Sequence, residues 1–160
     1  NRYKWLITFH PKMDTSIVND YKAIQHENIS FIETDNIIPL LLAADVMLCD
    51  TSSILQEFLV LNKPVVTFNN RDPDECMLDI KTTEELLPAL EKALSRPEAL
   101  MHKIQAYADQ LHPYRDGKSS ERVLDAVEWF IEEGHKNLKR KPLNLIRKIK
   151  LRKNLGYYWK

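Results

Sequence analysis

Glycine and cysteine are scarce in this chain of 160 residues, which has three of the former and two of the latter. So little glycine, with no low-complexity tract, argues against a disordered or fibrous chain. Two cysteines cannot build a disulfide scaffold and fit a reducing cytoplasm better. With 44% apolar and 29% charged residues, the composition is that of a soluble globular protein of one domain-sized unit.

The sequence also lacks a signal peptide, an internal repeat and any cluster of His, Cys and Asp at metal-ligand spacing. We therefore expect neither a bound metal nor another cofactor. Because the first residue is Asn1 rather than Met, we also expect that an N-terminal part of the protein is missing from this sequence.

Acidic residues are absent from the last 25 positions, which carry ten Lys or Arg and so a net charge of +10. Positions 1–135 hold all 23 acidic residues and 13 basic ones, a net charge of −10. Apolar and aromatic residues from Leu143 to Trp159 are interleaved with the cations of this tail. The pattern predicts that the tail, 136–160, binds the headgroup region of an anionic membrane. Nucleic-acid binding and a partly ordered terminal helix are the alternatives.

Short apolar runs alternate with amphipathic segments through the first 135 residues. Strands are predicted at 5–9, 29–32, 46–49 and 65–68, with an edge strand at 77–80. Helices are predicted at 14–25, 36–42, 53–61, 83–94, 98–111 and 119–133. This alternation predicts βαβ units with right-handed crossovers. We expect an α/β fold, with a Rossmann-like parallel sheet flanked by helices and further helices at the C-terminal end.

One predicted strand ends at Asp50, and the chain then turns through Thr51, Ser52 and Ser53 directly into a helix. Backbone N–H groups at a helix start attract an anion, and hydroxyl side chains add further donors. Glu57 stands one turn into the helix, where its carboxylate can accept hydrogen bonds from a ribose. The pattern indicates a nucleotide-binding turn, and the structural alternative is an ordinary capped helix after a buried strand.

Two other segments carry residues suited to phosphate chemistry. His10 ends the first predicted strand, where it can bind a phosphate oxygen, shuttle a proton or only cap a loop. A second helix start offers an anion site or a merely capped helix, with Asp116, Lys118, Ser119, Ser120 and Arg122. Because ligands of such sheets bind beyond the carboxyl ends of the strands, we expect these segments to meet the Ser52–Ser53 turn at one rim.

Together with Ala44-Asp45-Val46 and Leu61-Asn62-Lys63-Pro64-Val65-Val66, these segments occur in the order seen in one family. Over residues 5–130 the chain resembles the C-terminal domain of the CDP-glycerol glycerophosphotransferases, which build teichoic acids and related surface polymers. The resemblance implies one half of a GT-B fold, with the active site between two Rossmann-like domains. It implies a nucleotide-donor-binding domain at 1–135 and an N-terminal partner domain that is missing here, whereas the basic amphipathic tail at 136–160 is predicted from the charge pattern alone.

The resemblance also implies roles for individual residues. His10 would be the catalytic residue, and Glu57, at a position that is often Asp in the family, would bind the ribose. The donor diphosphate would be held by Thr51, Ser52, Ser53, Lys118, Ser119 and Ser120. Asp50, Asp116 and Arg122 would complete the rim. Thr51 is a departure, because an aromatic residue is common at its position.

The implied function is transfer of glycerol phosphate, or a related polyol phosphate or sugar, from a CDP-activated donor to a cell-surface polymer. The partners would be CDP-glycerol or a similar donor, a lipid-linked or polymer acceptor, and an anionic membrane. The enzyme would be cytoplasmic and peripheral on the inner face of the cell membrane, and this chain alone would be inactive.

Two alternatives stay open. The first is a UDP-N-acetylglucosamine 2-epimerase-like enzyme half, because those epimerases have a turn with an aspartate and a glutamate at the spacing of Asp50 and Glu57. Two glycines of that turn are replaced in this chain by Ser52 and Ser53. A non-catalytic α/β binding module would need the turn only as a cap.

Overall fold

The computed structural model describes residues 3–136 and 138–157, in two compact units, 1–113 and 114–160. The strands, all in the first unit, are β1 (Trp5–Ile7), β2 (Ile29–Phe31), β3 (Met47–Cys49), β4 (Val65–Phe68) and β5 (Met77–Ile80). Its α-helices are α1 (Thr15–Lys22), α2 (Ile38–Ala43), α3 (Ile54–Val60), α4 (Leu86–Leu94) and α5 (Glu98–Leu111). The second unit holds α6 (Ser119–Trp129) and α7 (Leu145–Asn154).

All strand pairs are parallel, as predicted. β1 pairs with β2, and a second sheet has the order β3-β4-β5. Helix α3 makes the return from β3 to β4, whereas the return from β4 to β5 is a loop of residues 69–76. Parallel sheets flanked by helices confirm the predicted Rossmann-like α/β class.

Successive residues of the central strand β4 point to opposite faces of the sheet, which places helices on both sides. Val65 packs in one apolar cluster with residues of α3 and α5, including Phe58 and Ile104. Val66 packs in another with Leu90 of α4. Both valines are fully buried. The sheet therefore lies between an α3–α5 layer and α4, a packing that leaves its carboxyl edge for the loops.

Several predicted boundaries agree with the structure and others shift. β4, β5 and α5 have the predicted bounds, because each is an uninterrupted apolar or amphipathic run. Helix α1 begins at Thr15, where the carboxylate of Asp14 accepts a hydrogen bond of 2.8 Å from the backbone N–H of Ser16. The predicted helix at 119–133 is α-helical only to Trp129 and continues as a wider π-helical turn over Phe130–Gly134.

Lys63 links the start of β4 to the end of α2. Its ammonium donates to the carbonyl oxygens of Leu41, Leu42 and Ala44 at 3.0, 2.6 and 2.7 Å. It also lies 5.5 Å from the ring centroid of Phe58. The last carbonyls of a helix lack intrahelical donors and carry its negative dipole end, so a cation there is favourable. The segment between α3 and β4 therefore separates these two elements and also holds the end of α2 in place through Lys63. We refer to these contacts of Lys63 as the clamp.

Replacing this cation should destabilise the fold. We expect Lys63→Met to lower the free energy of unfolding by about 1–3 kcal/mol, because three carbonyls lose a charged donor. Urea denaturation at neutral pH measures the change. The matched control is Lys4→Met at an exposed position, for which we expect a change within about 0.5 kcal/mol. Equal stability of the two variants would contradict the clamp.

Candidate functional site

The segment from Asp50 to Ser53 joins β3 to α3 at the carboxyl end of the three-stranded sheet. Ser53 is the residue before α3, yet its side chain makes no capping hydrogen bond. Nor is a hydrogen bond found for the Ser52 hydroxyl within the ranges 3–136 and 138–157. The two serine hydroxyls therefore do not act as helix caps, and they are free to donate to a ligand.

Thr51 connects this turn to the loop 69–76. Its hydroxyl oxygen accepts a hydrogen bond of 3.0 Å from the backbone N–H of Arg71. The family resemblance implies a direct part for Thr51 in diphosphate binding, which stays a prediction. The structure gives it a second role, since its oxygen fixes the loop while its hydroxyl proton remains able to donate.

Asp79 of β5 holds the same end of this loop, one residue before Arg71. Its carboxylate accepts hydrogen bonds from the hydroxyl of Thr67 at 2.8 Å and from the backbone N–H of Asn70 at 3.0 Å. It also forms an ion pair with Lys81. Burial alone would raise the pKa of Asp79, but the hydrogen bonds from Lys81, Asn70 and Thr67 hold that pKa below its usual value. The carboxylate is therefore ionised and satisfied, and it ties β4, β5 and the loop together.

The loop is ordered along its length by further contacts. Asn70 accepts from the backbone N–H of Asp72 at 3.0 Å, and Asp74 accepts from that of Cys76 at 3.0 Å. Glu75 forms an ion pair of 2.8 Å with Lys103 of α5. The turn 50–53 and the loop 69–76 thus form one hydrogen-bonded edge. Sequence reasoning gave Asp79 no role, and the only available signal was a carboxylate within the otherwise apolar run of β5.

Neither cysteine provides reactive chemistry at this edge. Burial, with a smaller contribution from the charge of Asp50, raises the pKa of Cys49 to about 11. Burial and a hydrogen bond with Asp74 raise the pKa of Cys76 to about 12. Both are protonated thiols at neutral pH, and thiols are poor nucleophiles. In the described part of the chain, no three His, Cys, Asp or Glu residues are grouped so as to hold a metal ion.

The remaining predicted residues of the first unit lie in two places. Glu57 is exposed in the first turn of α3, and Asp50 is exposed where β3 ends. His10 lies in an exposed turn after β1, and its Nδ1 accepts from the backbone N–H of Lys12 at 3.1 Å. The neutral ring therefore carries its proton on Nε2, which can donate to a phosphate oxygen. Among the residues described, no hydrogen bond or ion pair joins His10 to the turn, so their meeting at one rim stays a prediction.

In the second unit, Asp116 and Arg122 bind each other. The guanidinium donates to both carboxylate oxygens, one bond being 2.9 Å, and lies 3.9 Å from the ring centroid of Tyr114. Arg122 holds the pKa of Asp116 well below its usual range, and Asp116 raises that of Arg122. The backbone N–H of Lys118 also donates to Asp116, at 3.1 Å. The Asp116–Arg122 pair therefore stabilises the start of α6. Lys118, Ser119 and Ser120 are exposed, and ligand binding by these residues stays a prediction.

Helix α7 carries most of the described cations of the tail. Its apolar side chains Leu145, Ile146 and Ile149 are 60–75% exposed. They are interleaved along the helix with Arg147, Lys148, Lys150, Arg152 and Lys153. No helix among the residues that the structure describes is long and apolar enough to cross a membrane.

Comparisons with known proteins point to one family. A family model described as CDP-Glycerol:Poly(glycerophosphate) glycerophosphotransferase matches residues 1–75, which include His10 and the turn 50–53. A teichoic acid poly(ribitol-phosphate) polymerase of Bacillus spizizenii is 28% identical over 149 residues, which cover 83% of this chain. A teichoic acid glycerol-phosphate primase of Bacillus subtilis is 25% identical over 146 residues, which cover 81% of this chain.

The aligned region makes up 23% of the polymerase and 35% of the primase, so the chain spans about a third or less of these relatives. No solved structure matches the chain significantly.

The ionised state of Asp79 should appear as a pH dependence of stability. The pKa of Asp79 is lower in the folded protein than the ordinary 3.8. The carboxylate therefore contributes fully to the free energy of unfolding at pH values above the ordinary pKa. This contribution is lost as the pH falls through the folded-state pKa. We expect Asp79→Asn to be less stable than the wild type at neutral pH and the difference to shrink as the pH falls below about 4. Urea denaturation across pH measures it, with the exposed Asp20→Asn as control. A difference that stays constant with pH would contradict the assignment.

Proposed function

We propose that the chain is the donor-binding part of a teichoic-acid-type polyol-phosphate transferase, of the CDP-Glycerol:Poly(glycerophosphate) glycerophosphotransferase family whose model matches residues 1–75. The whole enzyme would move glycerol phosphate, or a related polyol phosphate, from a CDP-activated donor to a polymer acceptor. The observation that carries this proposal is the turn 50–53. It lies inside the matched region, at the carboxyl end of a parallel sheet, with two serine hydroxyls that cap no helix.

The proposed donor site has hydrogen-bond donors for the diphosphate and a hydrogen-bond acceptor for the ribose. Ser52 and Ser53 donate hydrogen bonds to the diphosphate, and the exposed carboxylate of Glu57 accepts from the ribose hydroxyls. In the reaction, the acceptor hydroxyl oxygen bonds to the phosphorus that carries the polyol, and the bond from that phosphorus to the bridging oxygen breaks. CMP leaves with the bridging oxygen, and a base outside this chain takes the hydroxyl proton.

Negative charge grows on the departing CMP as the bridging bond breaks. His10, with its Nε2 proton available, would donate to the leaving phosphate, where such a donor lowers the barrier more than it strengthens binding. Phosphoryl transfer depends mainly on positioning and electrostatics rather than on covalent chemistry by the protein. Hydrogen-bond donors held in fixed positions are therefore the main contribution that the donor half has to make. In the GT-B arrangement that the resemblance implies, the acceptor side would come from a second domain.

The serine hydroxyls should be needed for donor binding. We expect the double variant Ser52→Ala, Ser53→Ala to weaken CDP binding by about 1–3 kcal/mol, since donors to a charged group are lost. Glu57→Ala should weaken CDP binding but leave pyrophosphate binding unchanged, because only the riboside has hydroxyls for it. Isothermal titration calorimetry on the intact protein measures both, with Ser30→Ala at an exposed strand position as control. If the intact wild type binds no CDP, the donor-site assignment is wrong and a non-catalytic module is favoured.

We propose further that the tail, 136–160, holds the enzyme on the inner face of the membrane, beside a lipid-linked acceptor. Exposed apolar side chains of α7, such as Ile146 at 75% exposure, can enter the headgroup region while the neighbouring cations meet anionic lipid. Each cation near such a surface contributes about 1 kcal/mol. The absence of any acidic residue after position 135 supports an anionic partner.

Membrane binding should depend on the tail and on salt. We expect the intact protein to co-sediment with vesicles containing anionic lipid, less with zwitterionic ones, and less still as salt screens the surface charges. A version ending at Gly134 should lose this binding. The double variant Ile146→Ser, Ile149→Ser keeps every cation and should bind more weakly because apolar insertion is lost. Equal binding by the shortened version would remove the tail from membrane attachment, and preference for RNA or DNA would favour the nucleic-acid alternative.

A further inference from the structure

The proposed donor turn has no positive charge of its own to balance the charge of a diphosphate. A nucleoside diphosphate brings at least two negative charges, yet the segment 50–57 contains no Lys or Arg and two exposed carboxylates, Asp50 and Glu57. Hydroxyls and backbone N–H groups bind phosphate, but like charges close by oppose it. A cation is therefore needed at this turn from elsewhere in the chain.

The structure brings one residue of suitable charge to the turn. Arg71 follows β4 in sequence, and its backbone N–H is bonded to the hydroxyl oxygen of Thr51, directly before Ser52 and Ser53. The backbone bond fixes where Arg71 stands and leaves its side chain unconstrained. Among residues 3–136 and 138–157, no other Lys or Arg is hydrogen-bonded to residues 50–53.

The guanidinium of Arg71 is exposed and uncommitted. Within the described ranges, 3–136 and 138–157, no carboxylate forms an ion pair with it. Its acidic neighbours on the loop are partly engaged elsewhere, because Asp74 accepts from the N–H of Cys76 and Glu75 is paired with Lys103. An arginine held this way keeps its full charge and its fork of donors for a phosphate.

The loop is also held firmly enough to position this arginine. Asp79 accepts from Asn70, the residue before Arg71, and from Thr67 of β4. Two consecutive backbone N–H groups are thus anchored, that of Asn70 by the Asp79 carboxylate and that of Arg71 by the Thr51 hydroxyl. Binding groups that are fixed before the ligand arrives lose less entropy when it binds.

We propose that Arg71 is a diphosphate-binding residue of the donor site, and that Asp79 is the positioning residue that holds it beside the Ser52–Ser53 turn. The inference rests on the proposed donor site and adds to it the missing cation. The ligand class is a nucleoside diphosphate, with the guanidinium donating to phosphate oxygens rather than to the base or the ribose.

The test is titration of the intact protein with CDP and with cytidine. We expect Arg71→Gln to raise the Kd for CDP about tenfold and to leave cytidine binding unchanged. Arg71→Lys should recover part of the affinity, because it keeps the charge and loses the fork. The matched control is Lys92→Gln, which removes one positive charge from exposed α4. Since the anchor of Arg71 is its backbone, the Arg71 variants should melt at the wild-type temperature.

A double-mutant cycle tests the positioning role. Asp79→Ala should weaken CDP binding when Arg71 is present and add little in the Arg71→Gln background, because both changes remove the same contact. If Asp79→Ala does not fold, Asp79→Asn, which removes the negative charge of the anchor, serves in the same cycle. Additive losses would overturn the positioning role.

The failures of the two proposals are distinguishable. If the wild type binds CDP and Arg71→Gln binds it equally well, the role of Arg71 is overturned while the donor site stands. If the double variant of Ser52 and Ser53 also binds CDP normally, or if the wild type binds none, the donor site itself is wrong and the role of Arg71 falls with it.

Discussion

The carboxyl edge of the three-stranded sheet depends on one carboxylate, that of Asp79, which is only partly exposed to water. It joins β4 to β5 through Thr67 and fixes the following loop through the N–H of Asn70. A carboxylate that is partly withdrawn from water is stabilised when it is paired and hydrogen-bonded, and the ion pair with Lys81 adds to the two hydrogen bonds. Since the loop then bonds to Thr51, the geometry of the turn 50–53 is linked to the same carboxylate.

This constraint explains how a short connection can serve a binding site. Parallel neighbours are usually joined by a helix that packs on the sheet, but β4 and β5 are joined by residues 69–76 alone. A loop of this kind has no helix to hold it, so side-chain hydrogen bonds do so instead. The result is a rigid edge in which hydroxyl donors of one turn and a cation of another stand together. Rigid polar groups of this kind suit a reaction whose barrier is mainly electrostatic.

Local patterns were sufficient to predict the fold class and the candidate turn. The apolar runs at Val65–Phe68 and Met77–Ile80 and the amphipathic run at Glu98–Leu111 each determine an element by themselves. Contacts between distant residues could not be predicted this way. Neither the bond from Arg71 to Thr51 nor the three carbonyls that bind Lys63 leave a periodic signal in the sequence. Sequence reasoning therefore predicted a ligand-binding role for the serines, which stays a prediction, and missed the residues that organise the edge around them.

The central claim is that the donor binds at the carboxyl edge formed by the turn 50–53 and the loop 69–76. The most direct measurement is the ¹H–¹⁵N correlation spectrum of the labelled protein, followed as CDP is added. The account predicts that the largest saturable changes fall on the backbone amides of Ser52, Ser53, Ile54 and Arg71, with the strands' amino ends unaffected. Saturable changes centred elsewhere, for example on residues 26–29 or on α7, with the amides of the turn unmoved, would contradict it.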